Sequence, residues 1–166
     1  MPLAGNTSLA GKQPQRSPEA EKSLCDAGLS YLTNGAPEAA YACFDGIAQP
    51  GVHILFNKAL CCYRSGWYEE SYRLLGEAER YLPAVPSRGE ALPPQLSENA
   101  CNDRLHLCPM PEGVPQPLAR TQLLRLKAET AFRLQLYGEV KAIAASLQKP
   151  YRHIEELIKQ LRHEIE

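Results

Sequence analysis

The residues whose types could do chemistry lie close together at Cys101, Asp103, His106 and Cys108. Thiolates and imidazoles bind zinc, but a structural zinc site usually takes four ligands in paired spacings, and C-x4-H-x-C is not such a pair. A disulfide between Cys101 and Cys108 is a second possibility, although the cytoplasm would keep it reduced. The third possibility is that Cys101 and Cys108 are loop cysteines without a shared role. We expect no metal and no cofactor.

Motifs for catalysis are absent from the rest of the sequence. It has no Ser/His/Asp order, no glycine-rich phosphate loop and no His-Glu-x-x-His helix. We place His153 and His163 on the polar part of the last helix and His53 at the start of an earlier one, in solvated or groove-lining roles. The sequence therefore predicts a protein that is not an enzyme.

The composition limits the class of protein. A chain of 166 residues that is 44% apolar is long enough for one domain with a continuous core. Its formal net charge of -1 provides no field to gather nucleic acid or an anionic membrane. Residues 1–18 contain no apolar run, so no signal or transit peptide is evident. Four of the six cysteines fall within helical patterns, which indicates reduced packing thiols and a cytoplasmic protein: Cys25, Cys43, Cys61 and Cys62.

Residues 57–83 predict two helices that share one apolar seam. Small or apolar side chains recur at helical spacing on both sides of a break at Ser65 and Gly66, and Pro83 ends the second helix. Such a hairpin cannot bury its apolar face alone, so further copies are expected. Gly35 aligns with Gly66, and the residues around Lys127 to Leu147 match those from Lys58 to Ala78.

These patterns resemble the tetratricopeptide repeat family, whose unit is a helix-turn-helix of 34 residues. The best copy supplies Asn57, Ala59, Tyr63, Gly66, Tyr68, Ala78 and Pro83, and the first supplies Gly28, Tyr31, Gly35, Ala40 and Phe44. Departures are Ser71 and Val140 in place of the packing alanine, and Gln135 in place of a turn glycine. The resemblance implies an all-α protein, a short TPR-like α-solenoid of antiparallel helix pairs. The alternative is an unrelated helical bundle.

The predicted domain organisation has one helical domain after a leader. We expect a disordered leader at 1–18 and a single domain at 19–166. The repeats lie at about 19–50, 52–83 and 118–149, the proline-rich insert at 84–117, and a C-terminal capping helix at 150–166. The last helix has one apolar face: Ile154, Leu157, Ile158, Leu161 and Ile165. It serves as a solvating cap or, alternatively, as a dimerisation helix.

The insert holds eight of the fourteen prolines if Pro83 at its border is included. A long irregular insert is functional, disordered or a sign of a wrong assignment, and these three readings stay open. One hypothesis is a lid over the groove of the repeats, because the insert carries more apolar side chains than a free linker needs: Leu92, Leu96, Leu105, Leu107 and Met110.

In the family that the chain resembles, the first helices line a groove that receives a peptide or a helix. The repeat alignment places ten residues there: Lys22, Cys25, Leu29, His53, Phe56, Asn57, Leu60, Gln122, Arg125 and Glu129. Only Asn57 matches the set that clamps a terminal carboxylate in the family's best-known variant, because Cys25, Leu29 and Phe56 replace polar positions. This mixed groove suits an amphipathic or extended apolar segment.

The sequence therefore favours a non-enzymatic adaptor that binds a peptide or helical segment of a protein partner. Three repeats in this length also resemble the cytoplasmic chaperones of bacterial type III secretion translocators, although the insert departs from that group. A self-associating structural protein is the other alternative, so a monomer and a homodimer both remain open.

Overall fold

The computed structural model describes residues 15–83, 103–147 and 149–165. The described residues form seven α-helices and one short 3₁₀ helix and contain no strand, which confirms the all-α class. The α-helices are α1 (Pro18–Thr33), α2 (Pro37–Asp45), α3 (Val52–Arg64), α4 (Tyr68–Glu79), α5 (Gln116–Arg133), α6 (Tyr137–Ser146) and α7 (Arg152–Ile165), and the 3₁₀ helix is Leu105–Leu107.

The first helix begins where its capping residues predict. The Ser17 hydroxyl accepts a hydrogen bond from the Ala20 amide, and Pro18 occupies the first turn, where its missing N–H costs nothing. Just before this cap, Arg16 donates a 2.6 Å hydrogen bond to the Gly46 carbonyl. Residues 1–14 of the predicted leader lie outside the described residues.

Three tight turns join α1 to α2, α3 to α4, and α5 to α6. Each contains one residue with a positive φ, at Gly35 (77°), Gly66 (80°) and Gln135 (60°). In every case the amide of the next residue donates to a carbonyl five residues back, as in a Schellman motif. The turn without glycine thus has the same conformation as the other two, with a side chain held in the left-handed region.

Small or buried residues allow close contact between the two helices of each helix-turn-helix unit, which are α1 and α2, α3 and α4, and α5 and α6. A Cβ on Gly28 would lie 2.7 Å from the Phe44 ring, so the ring packs where only glycine leaves room. The predicted packing position is fully buried in all three units, as Ala40, Ser71 and Val140. Ser71 compensates for its polarity by donating a 2.8 Å hydrogen bond to the Ala59 carbonyl.

Consecutive helices pack against one another from α1 to α6, and α7 packs against α5 and α6. The apolar face of α7 is buried within the chain, at Ile154, Leu157 and Leu161. Tyr31, which the first copy supplies to the repeat pattern, is 47% exposed near the end of α1.

Candidate functional site

The described part of the insert lies against the helices through residues 105–110. The Asn57 side chain on α3 donates from Nδ2 to the Met110 carbonyl, and its Oδ1 accepts from the Met110 amide, both at 2.8 Å. Asn57 is 0% exposed and Met110 is 1% exposed. One carboxamide thus satisfies both backbone groups of a buried residue, as a neighbouring strand would.

Two further side chains hold the backbone of the same segment. Arg64 at the end of α3 donates to the Leu107 carbonyl at 2.7 Å and to the Leu32 carbonyl at 2.6 Å. Gln122 on α5 donates to the carbonyls of Leu105 and Cys108 at 3.0 and 2.9 Å. These hydrogen bonds go to backbone carbonyls, so they do not depend on the side chains of the segment. Any discrimination between side chains must come from those that are buried.

Of the apolar insert residues in the lid hypothesis, Met110 is buried and Leu105 and Leu107 are half-buried, while Leu92 and Leu96 lie outside the described residues. The residues singled out for possible metal or thiol chemistry differ in burial. His106 is 1% exposed, whereas Cys108 is exposed and its thiol donates to the Arg104 carbonyl at 3.4 Å. Cys101 lies outside the described residues.

His106 belongs instead to a polar cluster between the insert, α5 and α7, which we call the imidazole cluster: His106, Arg125, Glu129 and His153. The two imidazole rings are stacked with centroids 3.8 Å apart and an interplanar angle of 10°. His153 Nδ1 lies 3.1 Å and His106 Nε2 lies 3.4 Å from the same Glu129 oxygen. Three segments distant in sequence therefore meet at one carboxylate.

The hydrogen-bond partners determine the tautomer of His153. Arg125 donates from Nε to His153 Nε2 at 2.7 Å, and a guanidinium can only donate. His153 Nε2 must then carry a lone pair, so its proton is on Nδ1 and is donated to Glu129. The guanidinium of Arg125 also lies over the Tyr151 ring, 4.4 Å from the centroid.

Burial and charge act differently on Glu129 and His106. Burial alone would raise the pKa of Glu129, but the two imidazoles facing its carboxylate outweigh this and lower the pKa to about 2. Burial lowers the pKa of His106 below its ordinary 6.5, and Glu129 offsets this only in part. Neither ring nitrogen of His106 has a hydrogen-bond partner within usual distance among the described residues. Glu129 is thus ionised, and His106 is an incompletely satisfied neutral imidazole.

His106, Glu129 and His153 offer two imidazoles and a carboxylate, with ligand atoms within 4.8 Å of one another, which is a donor set that zinc accepts. A metal ion must lie in the plane of each imidazole that binds it, along the nitrogen lone pair. Two rings stacked 3.8 Å apart have no such common point. Arg125 adds a fixed positive charge beside His153. The arrangement is a hydrogen-bonded ion cluster and does not fit a metal as it stands.

The structure brings four of the ten predicted groove residues to residues 105–110 and the imidazole cluster: Asn57, Gln122, Arg125 and Glu129. Phe56 and Leu60 are fully buried in the core of the chain. Lys22 is exposed, Cys25 is buried, and Leu29 and His53 are half-buried. Contact of these ten residues with a partner stays a prediction.

The placement of one site residue was wrong, and the position of another was not predicted. The placement of His153 on the polar part of the last helix is wrong, since it is only 9% exposed and faces α5. Its spacing of four residues from Leu157, which is itself four from Leu161, places it on the buried face, and this signal is present in the sequence. His106 is buried by contacts with residues that are distant in sequence, so no local sequence pattern predicts its position.

None of the helices in the described ranges is long and apolar enough to cross a membrane. The chain matches no protein-family model, and neither a curated protein nor a solved structure matches it.

Proposed function

We propose that this protein is a non-enzymatic scaffold that binds a short peptide segment of a protein partner between α3 and α5. The single observation that carries this proposal is the pair of hydrogen bonds between the Asn57 carboxamide and the backbone of Met110. A helix surface that holds both backbone groups of a buried, non-helical residue is equipped to hold a peptide. In the free chain, residues 105–110 occupy that surface.

The chemistry of the occupied surface defines the class of partner. The contacts from Asn57, Arg64 and Gln122 go to backbone groups and are independent of sequence. Selectivity then comes from the two side chains of the segment that are buried, His106 and Met110. The partner is a short segment with a planar ring four residues before an unbranched apolar side chain, in which a 3₁₀ turn precedes non-helical backbone.

We further propose that the three helix-turn-helix units form a short solenoid of the tetratricopeptide type, with α7 as its cap, in a cytoplasmic protein without a nucleic-acid or membrane partner. The repeated turn conformation at Gly35, Gly66 and Gln135 supports equivalent units. Burial of Leu157 and Leu161 within the chain supports a cap. Because Leu157 is buried, replacing it with an acidic residue would disrupt folding. Such a variant therefore could not test whether α7 mediates self-association.

A labelled peptide tests the binding surface directly. It spans residues 104–111, with serine in place of its cysteine, and fluorescence anisotropy measures its binding to the full chain. The Met110→Ser variant weakens the docking of the chain's own segment, and we expect it to bind the peptide at least tenfold more tightly than the native chain. Adding Asn57→Ala to this variant should weaken binding at least tenfold, because the backbone partners of the peptide are lost.

The matched controls are an exposed substitution, Lys141→Gln, and a peptide with serine at its methionine. The first should leave binding unchanged, and the second should bind poorly to every variant. The proposal is overturned if the Met110→Ser chain, shown to be helical by circular dichroism, does not bind the peptide, or if Asn57→Ala makes no difference.

A further inference from the structure

The turn between α3 and α4 carries Trp67, which has the highest exposure, 63%, of the large apolar side chains in the described ranges. Its amide donates to the Cys62 carbonyl at 2.8 Å, so the turn fixes the backbone of this position. The equivalent residues of the other two turns are Ala36 and Leu136. Tryptophan is among the residue types that contribute most to binding at protein interfaces. An indole held in solvent by a rigid turn therefore indicates a binding surface.

Trp67 lines a pocket between α2 and α3, with a volume of about 130 Å³. Most of the other lining residues come from these two helices: Pro37, Glu38, Tyr41, Cys61 and Cys62. A cavity of roughly 150 Å³ holds a benzene molecule, so this pocket has room for a smaller planar group. The exposure of Trp67 leaves the pocket accessible from solvent.

The lining combines neutral groups with one negative charge. Burial raises the pKa of Cys61 to about 12 and that of Cys62 to about 11, so both thiols are protonated at pH 7. Burial also raises the pKa of Tyr41, which therefore stays a neutral phenol. Glu38 is exposed in the first turn of α2, and no ion pair joins it to another described residue. The pocket thus offers a carboxylate at the edge of an apolar and aromatic surface.

The same face of α2 already holds one cation. Lys58 Nζ lies 2.9 Å from Asp45 Oδ1 and 5.1 Å from the centroid of the Tyr41 ring. Asp45 lies four residues after Tyr41 and Glu38 lies three residues before it, so the two carboxylates flank the ring on one helix face. Lys58 neutralises Asp45, whereas no residue of the pocket lining is cationic. The Glu38 side has the aromatic and acidic groups of a cation site, with Trp67 in addition.

The charges on α4 near the pocket favour a cation as well. Arg73 pairs with Glu70 at 2.6 Å and with Glu77 at 3.1 Å, so two carboxylates and one guanidinium leave a net charge of -1. Glu70 and Arg73 both interact electrostatically with Cys62 in the pocket lining. The surroundings therefore add to the negative charge of the pocket and are complementary to a positively charged group.

We propose that this pocket is a second binding site, which receives one arginine side chain of a protein partner. Its guanidinium stacks on Trp67 and pairs with the carboxylate of Glu38. Arginine fits this lining better than lysine does, because its planar cation stacks on aromatic rings, donates two parallel hydrogen bonds to a carboxylate and is more weakly hydrated. The site is separate from the surface where Asn57 and Arg64 hold residues 105–110.

Fluorescence measures this binding directly, because the chain has one tryptophan. The probe is the blocked peptide acetyl-Gly-Arg-Gly-amide, titrated into the full chain at constant ionic strength. We expect its dissociation constant to be on the order of 1–10 mM, since one side chain supplies few contacts. The emission should shift towards the blue as the guanidinium displaces water from the indole. The same peptide with citrulline, which has the shape of arginine without its charge, should bind at least about fivefold more weakly.

The variant Glu38→Gln removes the carboxylate from the pocket while keeping the size of the side chain. It should bind the arginine peptide about threefold more weakly than the native chain and should bind the citrulline peptide equally well. The matched control is Glu155→Gln, which loses the same charge from an exposed position in the first turn of α7. This control should bind both peptides as the native chain does.

Several results would overturn the proposal. Equal binding of the arginine and citrulline peptides would show that the pocket does not select a cation. Equal binding of a peptide with lysine in place of arginine would show that it does not select a guanidinium. Emission that stays constant up to about tenfold above the expected dissociation constant would exclude binding at Trp67.

Equal effects of Glu38→Gln and Glu155→Gln would also overturn it, because they would assign the attraction to the overall charge of the chain. Circular dichroism establishes that each variant is helical. Should Glu38→Gln fail to fold, the three peptides on the native chain decide. None of these measurements involves residues 105–110, so this site and the proposed surface between α3 and α5 can fail independently.

Discussion

The carboxamide of Asn57 and the backbone of Met110 exchange two hydrogen bonds of 2.8 Å, although 53 positions separate the residues in sequence. Both partners are almost completely buried, so water cannot replace these bonds. A single side chain on α3 therefore fixes the position of a segment that lies between α4 and α5 in the chain and is part of neither helix.

The substitution Asn57→Asp tests this pairing at nearly constant size. The new carboxylate cannot donate to the Met110 carbonyl and places a charge in a buried site. We expect the free energy of unfolding at pH 7 to fall by about 1–3 kcal/mol, measured by urea denaturation. The exposed control Asn34→Asp should cost less than about 1 kcal/mol. Equal effects of the two substitutions would contradict the pairing.

Glu129→Gln tests the charge in the imidazole cluster. The folded-state pKa of about 2 lies below the ordinary 4.5, so the ionised carboxylate contributes stability that is present above pH 4.5 and lost as the pH falls towards 2. We expect the variant to be about 1–3 kcal/mol less stable at pH 7. Its unfolding free energy should also vary less between pH 4.5 and 2.

Chemical denaturation across that pH range provides the measurement, and the exposed Glu155→Gln is the matched control. Curves for Glu129→Gln and the native chain that run parallel from pH 4.5 to 2 would show that Glu129 has no such role.

Gly28→Ala tests the close contact of α1 with α2. The added methyl group would meet ring atoms of Phe44 at 2.7 Å, and we expect a loss of about 1–3 kcal/mol. In contrast, Gly76 lies within α4 and a Cβ there has no neighbour within 4 Å, so Gly76→Ala should stabilise the protein by about 0.5–1 kcal/mol. Thermal denaturation distinguishes the two. If Gly28→Ala stabilised the protein as Gly76→Ala does, the Phe44 ring would have to move aside without cost.

Gln135→Gly tests the strain in the third turn. A side chain at φ 60° costs about 1–2 kcal/mol relative to the helical region, whereas glycine adopts this conformation freely. Part of the gain is lost to the greater freedom of glycine in the unfolded chain. We expect a net stabilisation of about 1 kcal/mol, and a loss of similar size for the reciprocal change Gly66→Ala. A destabilised Gln135→Gly would argue that its side chain makes a contact worth more than the strain.

The helices and turns could be predicted from the sequence because their signals are local. Ser17 and Pro18 mark the start of α1, and the breaks at Gly35 and Gly66 mark turns that the structure contains. Gln135 carries no glycine signal. The aligned aromatic residues Phe132 and Tyr137 located its turn instead, since they flank it as Tyr63 and Tyr68 flank the second turn.

The site was predicted only in part, because its parts meet through contacts between distant segments. The repeat alignment identified Asn57, Gln122 and Glu129 as residues of one surface, since equivalent helix positions share a face. It gave no information on what covers that surface. His106 reaches it only through the path of the insert. The inward position of His153 was overlooked although its spacing of four residues from Leu157 places it on the buried face of α7.

The position of residues 105–110 within the same chain has a consequence for competition. A tethered segment is present at its site at an effective concentration on the order of millimolar, whatever the concentration of the protein. A separate segment at about micromolar concentration must then bind roughly a thousandfold more tightly than residues 105–110 to occupy the surface equally often. Tethering therefore sets an affinity threshold that excludes weak ligands without any additional contact.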